Sequence, residues 1–272
     1  MRRIFDANFI YEQIRLKKTF LCVGLDPDMN KMDRIYLQRE FPLFDFCRDI
    51  IHWTSDQAVA YKINVAFFEN HGPHGWLQLE MLVKEIPSDC FLIIDAKRAD
   101  IGNTSQRYAE YYFQKLDADA ITLHPYMGVD SLQSFIDYKG KWCIVLGLTS
   151  NPGAADFELL PLDTGQKLYE LIIQKFSTTI NHNQLMFVIG ATQSDQISHA
   201  RNLCPEHFFL VPGVGEQGGD LEKTIITGMN RLGGLLINVS RSISYPKSEV
   251  VLENYVRQQV AGLTARMEPF IS

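Results

Sequence analysis

Short runs of consecutive apolar residues, rich in Val, Ile and Phe, alternate along this chain with longer stretches whose apolar residues recur at helical spacing. The short runs fall at 20–25, 59–63, 91–95, 120–123, 143–148, 186–189, 208–211 and 235–239. Apolar on both faces, they have the pattern of parallel strands covered on each side by helices. The longer stretches predict helices at 44–55, 76–86, 105–116, 166–180, 195–202, 220–230 and 249–266. Most strand starts lie about 30 residues apart, the length of one βαβ unit. Eight such units predict an α/β fold of the (β/α)8 TIM-barrel type, one domain over residues 1–272. An open doubly wound sheet is the competitor that periodicity leaves standing. A further helix at 6–17, ahead of the first strand, is expected to cap the bottom of the barrel.

With 46% hydrophobic and 21% charged residues, the composition is that of an ordinary globular domain. The net charge of -6 argues against a broad nucleic-acid or membrane footprint, since both need clustered Lys and Arg. A small anionic ligand needs only a few placed cations and is compatible with it. No apolar run approaches the roughly 18 residues of a membrane span. Asp6, Asn8 and Glu12 interrupt the start, so no secretory leader is expected. Cys22, Cys90 and Cys143 sit inside strand-like runs and the total of five is odd, which points to buried reduced thiols in a cytoplasmic protein.

A barrel carries its site at the C-terminal strand ends, so those ends are where chemistry is sought. They read Gly24-Leu-Asp26-Pro, Lys62-Ile-Asn64, Asp95-Ala-Lys97, His124-Pro, Thr149-Ser150-Asn-Pro-Gly, Thr192-Gln193, Pro212-Gly213 and Ser240-Arg241. Any one could be a turn former or a helix cap. A polar group at nearly every end is harder to explain that way. The third end is the richest. Asp95 and Lys97 are two apart and share a face of the strand. They form either a structural ion pair or an acid–base array. Asp100 follows in the turn, as a helix N-cap or as part of the same array.

Pro212-Gly-Val-Gly215-Glu-Gln217-Gly218-Gly219 runs from a strand into a helix, where glycines let backbone N–H groups approach an anion. Arg241, ending the next strand, supplies a planar cation beside them. The formal Gly213-x-Gly215-x-x-Gly218 match to the dinucleotide fingerprint is weak, because it opens no first βαβ unit and no acidic residue ends the following strand. Glu69, His71 and His74 superficially look like metal ligands. Gly72, Pro73 and Gly75 are expected to break any helix that would align them, so a loop surface and no metal site are expected. His124 either lines the pocket or is structural.

The segment Asp95-x-Lys97-x-x-Asp100-Ile-x-x-Thr104 resembles the signature of the orotidine 5′-phosphate decarboxylase family. The likeness continues through Gly24-Leu-Asp26-Pro, Lys62 with Ala66-Phe-Phe-Glu69-Asn-His-Gly72, Thr149-Ser150-Asn-Pro-Gly153-Ala, the 212–219 stretch and Ser240-Arg241. The Lys62 segment looks like the bacterial type 2 branch. The resemblance implies a cofactor-free, metal-free loss of CO2 from orotidine 5′-monophosphate (OMP) to give uridine 5′-monophosphate (UMP). It implies Lys97 as proton donor to C6, Asp95 beside the departing carboxylate, and Asp100 completing the array from the partner subunit of a homodimer. Asp26, Lys62 and Thr104 would hold ribose hydroxyls, Thr104 across the same interface. Ser150 and Gln217 would touch the base or bridge to the phosphate, which Arg241 and neighbouring glycines such as Gly218 would bind, while Pro212 would pack near the ring. Mg-dependent sugar-phosphate decarboxylases and synthases share the Asp-x-Lys-x-x-Asp core, and a non-catalytic nucleotide-binding barrel is the alternative from another class.

Overall fold

The computed structural model describes residues 5–191, 194–214 and 219–271, with Ser194 as backbone only. Eight parallel strands close into a barrel in chain order: β1 (Leu21–Leu25), β2 (Ala60–Asn64), β3 (Phe91–Arg98), β4 (Ala120–Leu123), β5 (Trp142–Leu148), β6 (Leu185–Ile189), β7 (Phe208–Pro212) and β8 (Leu235–Val239). The first and last strands pair through Leu21 with Ile237 and Val23 with Val239, so the sheet has no edge. All eight expected strands are present, and the doubly wound alternative falls with the closure.

The outer layer is α1 (Ala7–Lys17), α2 (Pro42–Thr54), α3 (Gly72–Leu82), α4 (Gly102–Ala109), α5 (Leu168–Thr179), α6 (Ser194–Leu203), α7 (Leu221–Gly228) and α8 (Leu252–Met267). α1 starts where Asp6 accepts from the Phe9 N–H at 2.8 Å, and it ends at Lys18 in the left-handed region. It caps the barrel bottom as expected. Phe5, just before it, packs against Phe91 and accepts from the Trp142 indole at 2.7 Å, both residues being at strand starts. At the same end the Arg201 guanidinium lies 3.8 Å from the centroid of the Phe209 ring and donates to backbone carbonyls, among them Gly228, Cys204 and Gly234. Burial pulls its pKa down to about 10. Among the described residues, no helix is long and apolar enough to cross a membrane.

Two local expectations are corrected. Gly72 and Pro73 do not break a helix; they open α3, because proline in a first turn lacks only an N–H that has no partner there in any case. The helix expected at 105–116 is α4 followed by a π-helical turn, Glu110–Lys115. Between β4 and β5 stand only Val129–Leu132 and Gln133–Ile136, short helical pieces entered through Gly128 at φ +89°.

Candidate active site

The C-terminal end of β2 presents Lys62 to the C-terminal end of β3. The register pairs Asn64 with Asp95, and the Lys62 ammonium reaches Asp95 Oδ2 at 2.8 Å. Lys97 Nζ lies 2.5 Å from the other oxygen, Oδ1. One carboxylate therefore sits between two cations. Their exposures divide the two lysines: the Lys62 side chain is 7% exposed and that of Asp95 10%, whereas that of Lys97 is 51% exposed. Lys62 and Asp95 form a buried pair, and Lys97 reaches into the open mouth of the barrel. Burial by itself would raise the Asp95 pKa, but the charges of Lys62 and Lys97 outweigh it and hold the carboxyl well below its usual range. Burial opposes the Lys62 charge as well. Asp95 and Asp26 overcome it and keep this ammonium above the ordinary lysine range.

The same-face expectation for Asp95 and Lys97 needs refinement. The two meet, but not through regular strand alternation. The β3–β4 register shifts between Ile94 and Arg98, and Lys97 has φ +49°, a region that lysine seldom enters.

Around the array the barrel mouth assembles the other expected groups. Asp26, Pro212, Gly213, Asn238, Ser240 and Arg241 line one cavity. Asp26 Oδ1 is buried there with no hydrogen-bond partner among the described residues. Gly24 is what lets β1 and β8 close at this point, since a Cβ on it would lie 1.8 Å from Ser240 Oγ. Ser150, at the end of β5, packs so closely on β6 that a Cβ on Gly190 would stand 2.8 Å from it. Gly213 has φ +94°, and the two described ends of the glycine loop are joined by the Gly219 N–H donating to Gly213 O at 3.3 Å. Gln217 and Gly218 lie outside the described residues, as do Thr192 and Gln193.

One detail of the anion expectation changes. Asp220 caps α7, its carboxylate accepting from the Lys223 N–H at 3.0 Å. An anion centred on that helix end would meet this carboxylate.

Asp100 is not the helix cap. The N-cap of α4 is Ile101, which offers no side-chain acceptor. The Asp100 carboxylate accepts only from the adjacent Ile101 N–H, at 2.7 Å, and no described residue forms an ion pair with it. Thr104 is exposed on α4. Within one chain, then, Asp100 and Thr104 are not drawn into contact with Lys97 or Asp95.

Several supporting residues escaped the sequence reading. Tyr245 OH accepts from the Asp28 N–H and donates to Asp26 O, both at 2.7 Å, pinning the loop that carries Asp26 to the end of β8. Glu158 binds Thr149 N at 2.6 Å and faces its hydroxyl, closing the base of the loop after β5. Glu69 pairs with Arg98 rather than lying free in a loop. Among the described residues no group of three His, Cys, Asp or Glu is arranged to hold a metal ion. All five cysteines are free and buried.

The fold and the site define a (β/α)8 barrel that carries a lysine–aspartate–lysine array at the C-terminal ends of its strands. The family model described as "Orotidine 5'-phosphate decarboxylase / HUMPS family" matches residues 19–252. The chain is 44% identical over 262 residues to the orotidine 5′-phosphate decarboxylase of Phocaeicola vulgatus, covering 95% of this chain and 96% of that one. It superposes on the OMP decarboxylase of Leishmania donovani with TM-score 0.80 and 33% identity, over 96% of this chain and 99% of that one. On the UMP synthase of the same organism the TM-score is 0.84 with 34% identity; 96% of this chain is covered, but the match spans only 55% of that longer chain. This chain belongs to the orotidine 5′-phosphate decarboxylase / HUMPS family.

Proposed function

We propose that this chain decarboxylates OMP to UMP, with Lys97 delivering the proton to C6. The observation that carries the reading is the array itself: an exposed ammonium 2.5 Å from a buried carboxylate that a second, buried ammonium already neutralises. Breaking the bond from C6 to the carboxylate releases CO2 and leaves the electron pair on C6. Lys97 is the cation that stabilises this charge as it develops and then quenches it by proton transfer. Two unit charges about 4 Å apart interact by roughly 4 kcal/mol at an effective dielectric near 20, so one lysine carries a useful part of the acceleration and not all of it. Lys97 then recovers its proton from water at the open mouth.

Asp95 has a second role in this scheme. Its carboxylate fixes the Lys97 ammonium in place at 2.5 Å, and it faces the carboxylate that must leave. Asp26, with its unpartnered buried oxygen, and Lys62 suit ribose hydroxyls. Pro212 suits a position near the ring, Ser150 and Gln217 suit the base, and Arg241 with the loop glycines, Gly218 among them, suits the 5′-phosphate. Phosphate binding far from the broken bond would close the loops after β5 and β7 and exclude water. Five buried free thiols fit a reducing, cytoplasmic setting.

The active unit in this reading is a homodimer whose sites are shared. Ile101, Tyr126 and Met127, at 66%, 89% and 41% exposure, put apolar surface on the loops after β3 and β4, beside Asp100 and Thr104. Burying that patch against a second copy would carry Asp100 and Thr104 into the neighbour's site. Mixing Lys97→Ala with Asp100→Ala tests function and sharing together. Each variant alone should be nearly inactive on OMP. Because half of randomly re-paired dimers hold one intact site, the mixture should recover about a quarter of wild-type activity. No recovery would mean that Asp100 acts within its own chain.

A further inference from the structure

Thr122 is a lone hydroxyl inside the apolar strand β4, and it is 1% exposed. A threonine hydroxyl has one proton to give and room for two to accept. Here all three capacities are used, and all on β3. The hydroxyl donates to Asp95 Oδ1 at 2.9 Å and accepts from the backbone N–H groups of Ala96 and Lys97, each at 3.0 Å. These two amides lie where the β3–β4 register breaks between Ile94 and Arg98. One side chain thus replaces the ladder at the break, next to the residue held at φ +49°. The other side of the turn is braced independently. Arg98 Nη1 donates to Ala96 O at 2.8 Å, and the guanidinium pairs with Glu69 and lies over the Tyr108 ring.

We propose that Thr122 is a positioning residue of the decarboxylation: it sets the left-handed turn that aims Lys97 and at the same time orients the Asp95 carboxylate that Lys97 contacts. The inference rests on the reading of Lys97 as proton donor and deepens it. A non-glycine residue keeps a left-handed backbone only where its surroundings over-determine it. Thr122 holds two amides and one carboxylate oxygen of that turn through a single atom. Removing the hydroxyl leaves both N–H groups buried without partners, so β3 relaxes and the ammonium shifts. A displacement of about 1 Å at a reacting group costs on the order of 10²-fold in rate. Asp26 and the groups suited to the phosphate stand after β1, β7 and β8, away from this turn, and Lys62 on β2 still holds Asp95 through Oδ2 at 2.8 Å.

The test compares Thr122→Val, which keeps the shape and loses the hydroxyl, with Thr122→Ser, which keeps the hydroxyl. Thr122→Val should lower kcat on OMP by about 10²-fold, with KM for OMP and Kd for UMP within about threefold of wild type. Thr122→Ser should keep kcat within about threefold. A Val variant with near-wild-type kcat, a Ser variant as impaired as Val, or a loss confined to KM would each overturn the proposal. Should Thr122→Val fail to fold, Thr122→Cys takes its place, since a thiol is a weak donor and acceptor, and the same outcomes decide. Wild-type protein that leaves OMP untouched would remove the decarboxylase reading itself; active wild type with an unimpaired Val variant removes only the role of Thr122.

Discussion

Lys97→Ala is expected to lower kcat on OMP by about 10⁴-fold or more, while the Kd for UMP changes by less than about tenfold. Two losses combine. The proton donor is gone, a contribution of about 10² to 10⁴, and so is the cation nearest the developing charge, worth about 10² to 10³ when a preorganised group of this kind is removed. The two are not independent, because one ammonium performs both, so their product is an upper bound. The substitution leaves the fold in place. Lys97 is half exposed, and Asp95 keeps its 2.8 Å contact to Lys62 and its hydrogen bond from Thr122. The variant should therefore melt close to wild type, and stopped-time conversion of OMP to UMP reads chemistry alone. A kcat within tenfold of wild type would remove Lys97 from the mechanism.

Arg241→Ala is expected to raise KM for OMP by about 10²- to 10⁴-fold. A guanidinium donates two parallel hydrogen bonds to a phosphate, and each bond to a charged partner is worth about 1.5–3 kcal/mol. Losing such a pair corresponds to roughly the stated factor, since about 1.4 kcal/mol is tenfold. Arg241→Lys should recover only part of the loss, because an ammonium cannot match the planar fork. Steady-state kinetics, with UMP and uridine binding compared in parallel, check the assignment. The variant should lose most of its preference for UMP over uridine. An unchanged KM would place the phosphate elsewhere.

The barrel was legible in the sequence because its strands are buried on both faces and read as unbroken apolar runs, such as 91–95 and 235–239. The polar groups stood out for the same reason: Lys62 and Asp95 interrupt runs that otherwise tolerate no charge. What stayed hidden is backbone conformation. Spacing puts residues 95 and 97 on one face, but it does not show that Lys97 adopts φ +49° at a register break. Thr122 lies within a strand and not at its end, and one hydroxyl within Ala120–Leu123 has the pattern of an ordinary β-branched strand residue. Gly72 and Pro73 have the local signature of helix breakers, because propensity does not distinguish the first turn of a helix from its interior. Tyr245 acts on Asp26 across 219 positions of sequence, a distance at which no motif could join them.

In the proposed mechanism the chain turns OMP over through its own side chains. The most direct test is conversion of OMP by wild-type protein dialysed against EDTA and assayed with the chelator present, with UMP and CO2 both quantified. Equimolar UMP and CO2 are expected, at an undiminished rate. Binding of UMP without any turnover of OMP, or activity that vanishes with the chelator and returns with Mg²⁺, would contradict that mechanism.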